Sequence, residues 1–349
     1  MKVGHISTYA FNANLRAVTM KTQQSVAETQ KEVVTGRVAD VGLHLGSRTS
    51  MAINVDSQVA RLEQLSATNG LLDNRMSTMQ AAMTAIIDAG NDLMGQLSAG
   101  LGGTLDPGLL ASVGESLFGT ASGSLNLTFG GEYVFSGVNT DMKALVEAGT
   151  TEGDAALQAV RDAFTAHFGF PQDDPAAEAI TTAQMDAFID GPFMDLFDDA
   201  NWQTLWSGSS DRGMRSRISQ REIVENPVTA HAQPFRQMVA ASVLISEFAG
   251  ANLGEQGRDQ LVSRGLQMVS GSIGGIADEQ SKLGIVEQRV TDANTRIDAQ
   301  KDLLELKREE LTGVDTYEAA TRLNQLMTGL EASYTVTARL QALSLMNYL

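Results

Sequence analysis

Residues 62–97 read LEQLSATNGLLDNRMSTMQAAMTAIIDAGNDLMGQL. Leu62, Leu65, Asn69, Leu72, Met76, Met79, Met83, Ile86, Gly90, Leu93 and Leu97 alternate by three and four, and all but Asn69 and Gly90 are apolar. This spacing lays one stripe along an α-helix, the seam of coiled-coil-like packing. At a rise of 1.5 Å per residue the helix is about 50 Å long. The methionines at these positions belong to a core seam rather than to a soft metal site or a promiscuous binding face. A stripe of that length needs partner helices.

A second stripe comes late in the chain. Leu283, Val286, Val290, Ala293, Ile297, Leu304, Leu311 and Val314 keep a heptad register, with Glu, Lys, Arg, Asp and Gln between them, so one face is apolar and the rest solvated. Shorter helices flank the two long ones. Residues 6–35 are rich in Ala, Gln, Thr and Val and end at Gly36, a left-handed C-cap, while Ser47–Ser50 offers N-caps for the long helix that follows. Asp315, with Glu318 three residues on, opens a final helix whose stripe is Leu323, Leu326, Leu330, Thr337 and Leu340. Its end, LEASYTVTARLQALSLMNYL (330–349), stays apolar at helical spacing to the last residue and needs a face to bury against. Packing within the chain and packing between subunits both answer that need.

The middle differs in composition. Between Asp141 and Ala230 there are 16 acidic and 6 basic residues, and both tryptophans with Phe164, Phe168, Phe170, Phe188, Phe193 and Phe197 lie there. These shifts predict three regions: 1–140 and 231–349 as the two halves of a helical core, and 141–230 as an inserted acidic, aromatic-rich outer domain with a core of its own. The segments GGEYVFSGVNTD (130–141) and RSRISQREIVENPV (215–228) have strand character, so the insertion is expected to mix α and β. The stretch PFRQMVAASVLISEF returns to helix, with Phe235, Met238, Ile245 and Phe248 on one side. The expected fold class is therefore mainly α: paired N- and C-terminal long helices forming a bundle or coiled-coil core, with an inserted α/β domain.

Signals of catalysis are weak. His5, His44, His167 and His231 are far apart and lack metal-ligand spacing, and the chain has no cysteine. The acidic stretch DGPFMDLFDDANW lacks a calcium-loop pattern and reads as a solvated surface over phenylalanines. GLGG (Gly100–Gly103) and GSIGG (Gly271–Gly275) lack the Lys-Ser/Thr ending of a phosphate loop and read as breaks or bends in long helices. No cofactor or metal is expected, and an enzyme is not the favoured reading. A net charge of −17 opposes nucleic acid and anionic lipid surfaces, and 43% hydrophobic content without a long apolar run argues against membrane insertion. The first residues carry no cleavable signal pattern, so export, if it occurs, is expected to use another route.

Three stretches carry a resemblance: VVTGR (33–37), GGEYVFSGVNTD (130–141) and TRLNQLMTGLEASYTVTARLQALSLMNYL (321–349). Through them the chain resembles the flagellin superfamily, and within it the hook-associated branch at the junction of hook and filament. The likeness covers most of 1–140 and 234–349. It implies export without a cleaved signal, an extracellular place on the bacterial flagellum, and terminal helices paired as coiled coils that self-associate in a ring. The implied partners are other hook-associated proteins and flagellin, with room for an export chaperone at the C-terminal helix. The helix-pairing and assembly face would comprise Leu62, Leu65, Leu72, Met76, Met79, Met83, Ile86, Leu283, Val286, Val290, Ile297, Leu304, Leu323, Leu326, Leu330 and Leu340. Two other readings stay open: a filament flagellin, which shares both terminal helices, and an unrelated coiled-coil scaffold or cytosolic enzyme. Many relatives carry Asp-Asp-Pro or Asp-Asp-Ala before the long helix, whereas this chain reads VADVGLHLGSRTS (38–50), so the form of that loop is not carried over.

Overall fold

The computed structural model describes residues 8–100 and 106–346, with side chains described at residue 10 and over 13–99 and 106–339. Its elements in chain order are α1 (Thr8–Thr35), α2 (Val41–Leu45), α3 (Thr49–Gly100), α4 (Pro107–Leu125), a hairpin of β1 (Thr128–Phe129) and β2 (Glu132–Tyr133), then α5 (Thr151–Phe168), α6 (Thr182–Phe188) and α7 (Asp199–Asn201). A second hairpin of β3 (Arg215–Arg217) and β4 (Ile223–Glu225) follows, then α8 (Gln233–Phe248), α9 (Glu255–Thr312) and α10 (Thr316–Met346). The fold is mainly α, with long packed helices and two small antiparallel hairpins. The chain divides into two compact units, Met1–Gln64 with Arg296–Leu349, and Leu65–Thr295.

In the Leu65–Thr295 unit, α8 is the axis of the core. Its residues from Met238 to Ile245 are all buried, as are Phe235 and Phe248, so it is covered on every side and not on one face alone. The neighbours approach through glycines. A Cβ at Gly114 of α4 would lie 2.7 Å from the backbone nitrogen of Ser246, and one at Gly90 of α3 would lie 2.9 Å from the Met238 methyl. Helix α9 passes unbroken through GSIGG: there a Cβ at Gly275 would stand 2.6 Å from the Pro234 ring, so the glycine admits a neighbour and makes no break.

The rings of segment 141–230 share this core with residues outside it. Phe164 stacks on Phe248 at 5.1 Å, Phe118 meets Trp206 edge-on at 6.2 Å, and Phe197 stacks on Trp206 at 4.8 Å. Two π-helical turns, Ile189–Phe193 and Trp202–Trp206, widen the helix so that both end residues of each turn face inward, and all four are buried. Ion pairs hold the segment to both ends of α8: Arg161 grips Glu247 through two bonds of 2.6 and 3.0 Å, and Arg236 reaches Asp199 at 2.6 Å. The segment GGEYVFSG supplies the turn and second strand of the first hairpin, and Gly130 and Gly131 both take the positive φ that the tight turn demands. Arg75 of α3, nearly buried, pins that hairpin by a 2.8 Å ion pair to Glu132 and a contact to the Tyr133 carbonyl. Arg75→Met is expected to destabilise the unit by about 1–3 kcal/mol, read by thermal denaturation, because Glu132 stays half exposed and is only partly stranded.

In the other unit, α1 and α10 pack antiparallel. The join is VVTGR: Gly36, at φ +66°, ends α1, its carbonyl accepts from Val314 at 2.9 Å, and Val38 donates to the Thr312 carbonyl at 2.9 Å. Arg37 and Gly313 form the antiparallel bridge between them. Leu45, Ala52, Val55, Val59 and Leu311 make a small separate core with Val41 and Leu304 against it. Residues 38–50 hold α2 and a 3-10 turn. The cap is Asp40, whose carboxylate accepts from Leu43 N, whereas Thr49 starts α3 with its hydroxyl bonded to the Gly46 carbonyl, so the expected caps at Ser47–Ser50 are not used. Asp315 caps α10 as expected, accepting from Tyr317 and Glu318 N, while Glu318 turns to Arg322 rather than back to the cap.

Candidate assembly surfaces

The seam of α3 within the Leu65–Thr295 unit is consumed by the chain's own core. Met76, Met79, Met83, Ile86, Leu93 and Leu97 are buried, Leu72 is partly buried against them, and Leu65 is half-buried. Helix α9 runs antiparallel to α3 there: Asn69 meets Asn294, Gln80 reaches the Gln280 carbonyl at 3.0 Å, and Gly90 lies against Ile273. Leu283, Val286 and Val290 close the seam from α9. That seam also extends upstream, through Val262, Gly265, Val269, Ser272, Ile276 and Glu279, which alternate by three and four and are all buried. Small and polar residues at Gly265, Ser272 and Glu279 hide it from an apolar count.

The two gaps in the α3 stripe have separate reasons. Gly90 makes room for Met238 and Ile273. Asn69, with no exposed surface, donates through its one amide nitrogen to the Ile218 carbonyl at 2.9 Å and to Asn294 Oδ1 at 2.7 Å, joining α3, α9 and the β3–β4 hairpin. A buried asparagine of this kind fixes one register at a seam that apolar residues alone would leave free to slip by a heptad. Asn69→Leu is expected to lower stability by about 1–3 kcal/mol, read by denaturant titration, because the buried Ile218 carbonyl and the half-buried Asn294 lose their donor.

In the other unit Leu62 and Ile297 are buried and Leu304 lies against the small core. The α1–α10 seam is different in kind. On α10, Ala319 is buried and Leu323, Leu326, Leu330, Ser333 and Thr337 are half-buried; on α1, Leu15, Thr19, Thr22, Val26 and Val33 are half-buried and Thr29 is buried. Both sets alternate by three and four. Half of the α1 set is threonine, which an apolar count passes over; Thr19 and Thr22 return their hydroxyls to the carbonyls of Leu15 and Val18, so neither brings an unbonded hydroxyl to the seam. Gln23 bonds Tyr334, and Arg322 stands 3.9 Å from Glu32. Outside the narrow seam, Val18, Met20, Val34, Tyr317, Met327 and Val336 are exposed, Tyr317 to 83%. Leu340 belongs to α10, but its side chain lies outside the described residues. This pair buries one stripe and leaves apolar side chains on its remaining surface, which is what subunit packing uses.

The chemical candidates resolve into structural roles. In the acidic stretch Asp190 pairs with Arg264, Asp199 with Arg236, and Asp198 caps α7 by accepting from Asn201 N. Of the histidines, His44 and His167 are exposed, His231 lies 3.5 Å from Asp199, and His5 is outside the described residues. Gly100 ends α3, and Gly102 and Gly103 are outside the described residues. Among the described residues no group of three or more His, Asp or Glu is placed to hold a metal ion, and no helix is long and apolar enough to cross a membrane.

Two family models match the sequence: the bacterial flagellin N-terminal helical region over residues 6–140 and the bacterial flagellin C-terminal helical region over residues 266–349, together more than half of the chain. Residues 141–265 are matched by neither. A solved structure from Vibrio parahaemolyticus, assigned as a flagellar hook-associated protein, is similar in fold, with a TM-score of 0.52 and 11% identity over 76% of this chain and 97% of that one. No curated protein sequence matches the chain.

Proposed function

The chain belongs to the flagellin superfamily, and from that premise we propose that it is the adaptor that couples hook to filament, a structural part of the flagellum with no turnover of its own. The observation that carries the reading is the division of labour between its seams. Over 65–295 the long helices α3 and α9 spend their stripes on a closed aromatic core, while in the other unit α1 and α10 bury one shared stripe and keep exposed apolar side chains, as do α3 at Met51 and Ile53 and α9 at Leu303 and Leu306. A rigid body with sticky terminal helices suits a mechanical link. The fold likeness to a hook-associated protein supports the junction over the filament.

A second reading, filament flagellin, draws on the same terminal helices, since both matched models describe flagellin. Copy number separates the two. Quantitative mass spectrometry of purified flagella is expected to find this chain as a trace component beside a dominant flagellin; finding it as the dominant component would make it the filament subunit. On this reading the protein is exported, ends outside the cell, and associates with its own copies, with flagellin and with other hook-associated proteins. An export chaperone would take α10, where Leu323, Leu326 and Leu330 are half-buried and Tyr317, Met327 and Val336 exposed. Segment 141–230 is proposed as the insertion that distinguishes this member.

A further inference from the structure

We propose that hairpin β3–β4 docks on the acidic segment 173–199 of a second copy of this chain. The proposal rests on self-association within the superfamily and not on the junction role. Its starting point is segregation of charge in the part that neither family model covers. Residues 162–211 contain ten acidic residues and no lysine or arginine; the next ten, RGMRSRISQR, contain four arginines and no acid.

The structure displays both sets outward. Arg212, Arg215, Arg217 and Arg221 are exposed and make no ion pair among the described residues; Arg217 donates to the Gln220 carbonyl. Glu225, across the ladder from Arg215, is the hairpin's own exposed carboxylate, while Glu222 is held by Arg289 at 3.0 Å. The hairpin is a fixed platform. Ile218 and Val224 are buried beneath it, and Asn69 and Arg289 tie it to α3 and α9. On the acidic side, Asp173, Glu178 and Asp195 are exposed and make no ion pair among the described residues.

Distance rules out neutralisation within one chain. The acidic segment meets α9 at Arg264, through Asp186 and Asp190, and the hairpin meets α9 at Arg289. Along one continuous helix those points are about 37 Å apart, and even the near end of the acidic segment, where Asp199 holds Arg236 and Pro234 abuts Gly275, is about 21 Å from Arg289. The Debye length at physiological salt is about 8 Å, so neither region feels the other. Complementary patches that cannot meet in one molecule meet between molecules, where they set orientation and speed encounter. Two copies side by side with α9 parallel bring hairpin to acid when staggered by about 21–37 Å, and the unused patch of each then faces the next copy. In a chain of net charge −17, such a contact offsets the repulsion that association brings.

Sedimentation velocity on the full chain at low and high salt tests this. Wild type is expected to self-associate, less so at high salt. Arg215→Glu with Arg217→Glu, and separately Asp173→Arg with Asp195→Arg, are each expected to weaken association at least about tenfold with unchanged circular dichroism, and an equimolar mixture of the two to regain it. Arg215→Ala with Arg217→Ala, which adds no new charge, is expected to weaken it less. A hairpin variant that associates like wild type overturns the proposal, as does a mixture that fails to regain association. A wild type that stays monomeric, or that uses the hairpin only for anionic vesicles or nucleic acid, overturns it too. None of these readings depends on whether the protein sits at the junction or in the filament.

Discussion

Phe248→Ala is expected to lower the stability of the Leu65–Thr295 unit by about 3–5 kcal/mol, the usual range for deleting a buried phenylalanine. Phe248 has no exposed surface and sits among Phe164, Phe188 and Phe193 at 5.1, 5.6 and 6.3 Å. It belongs to α8, whereas its three neighbours belong to segment 141–230, so the cavity opens between the two. Trp202 and Trp206 lie in the same core and report on it by fluorescence. At roughly 2–4 °C per kcal/mol for a unit of this size, the melting temperature falls by about 6–20 °C. Fluorescence and far-ultraviolet helix signal are expected to shift together. A tryptophan transition that stays in place while helix melts earlier would show that the segment keeps a core independent of α8.

Leu326→Asp acts on the other unit and on function. Leu326 is half-buried on the stripe that α10 turns to α1, and the opposing stripe is half threonine, so the pair has little apolar contact to lose. A carboxylate there is expected to cost about 1–3 kcal/mol, enough to unpair two helices that are marginal alone. Hydrogen exchange would then show protection lost over 13–35 and 316–339 and kept over 233–248, and hooks would no longer accept the subunit. Retained protection over α10 together with normal attachment would mean that this stripe is dispensable. The equivalent change at Leu340 tests the same idea further along the helix.

How much of this was legible follows residue by residue. The α3 stripe could be read because leucine, isoleucine and methionine fill nearly every seam position, and the exceptions, Asn69 and Gly90, mark a polar node and a close approach. The upstream half of α9 could not, since Gly265, Ser272 and Glu279 occupy its seam. Helix α1 hid its stripe for a related reason: a threonine that bonds its own helix brings no unbonded hydroxyl to the seam, yet composition scores it as polar. Helix α8 looked one-sided because small residues, Ala240, Ala241 and Ser242, complete its circumference; the signal lay on its neighbours, as glycines. The acidic stretch read as surface, but its ion pairs to Arg236 and Arg264 need partners far off in sequence, which no local pattern reveals.

Electron microscopy of cells lacking the gene tests the central claim most directly. If the chain couples hook to filament, such cells carry hooks of normal length with no filament, and full-length flagellin is shed into the medium. Filaments of normal length and number on those cells would contradict a coupling role.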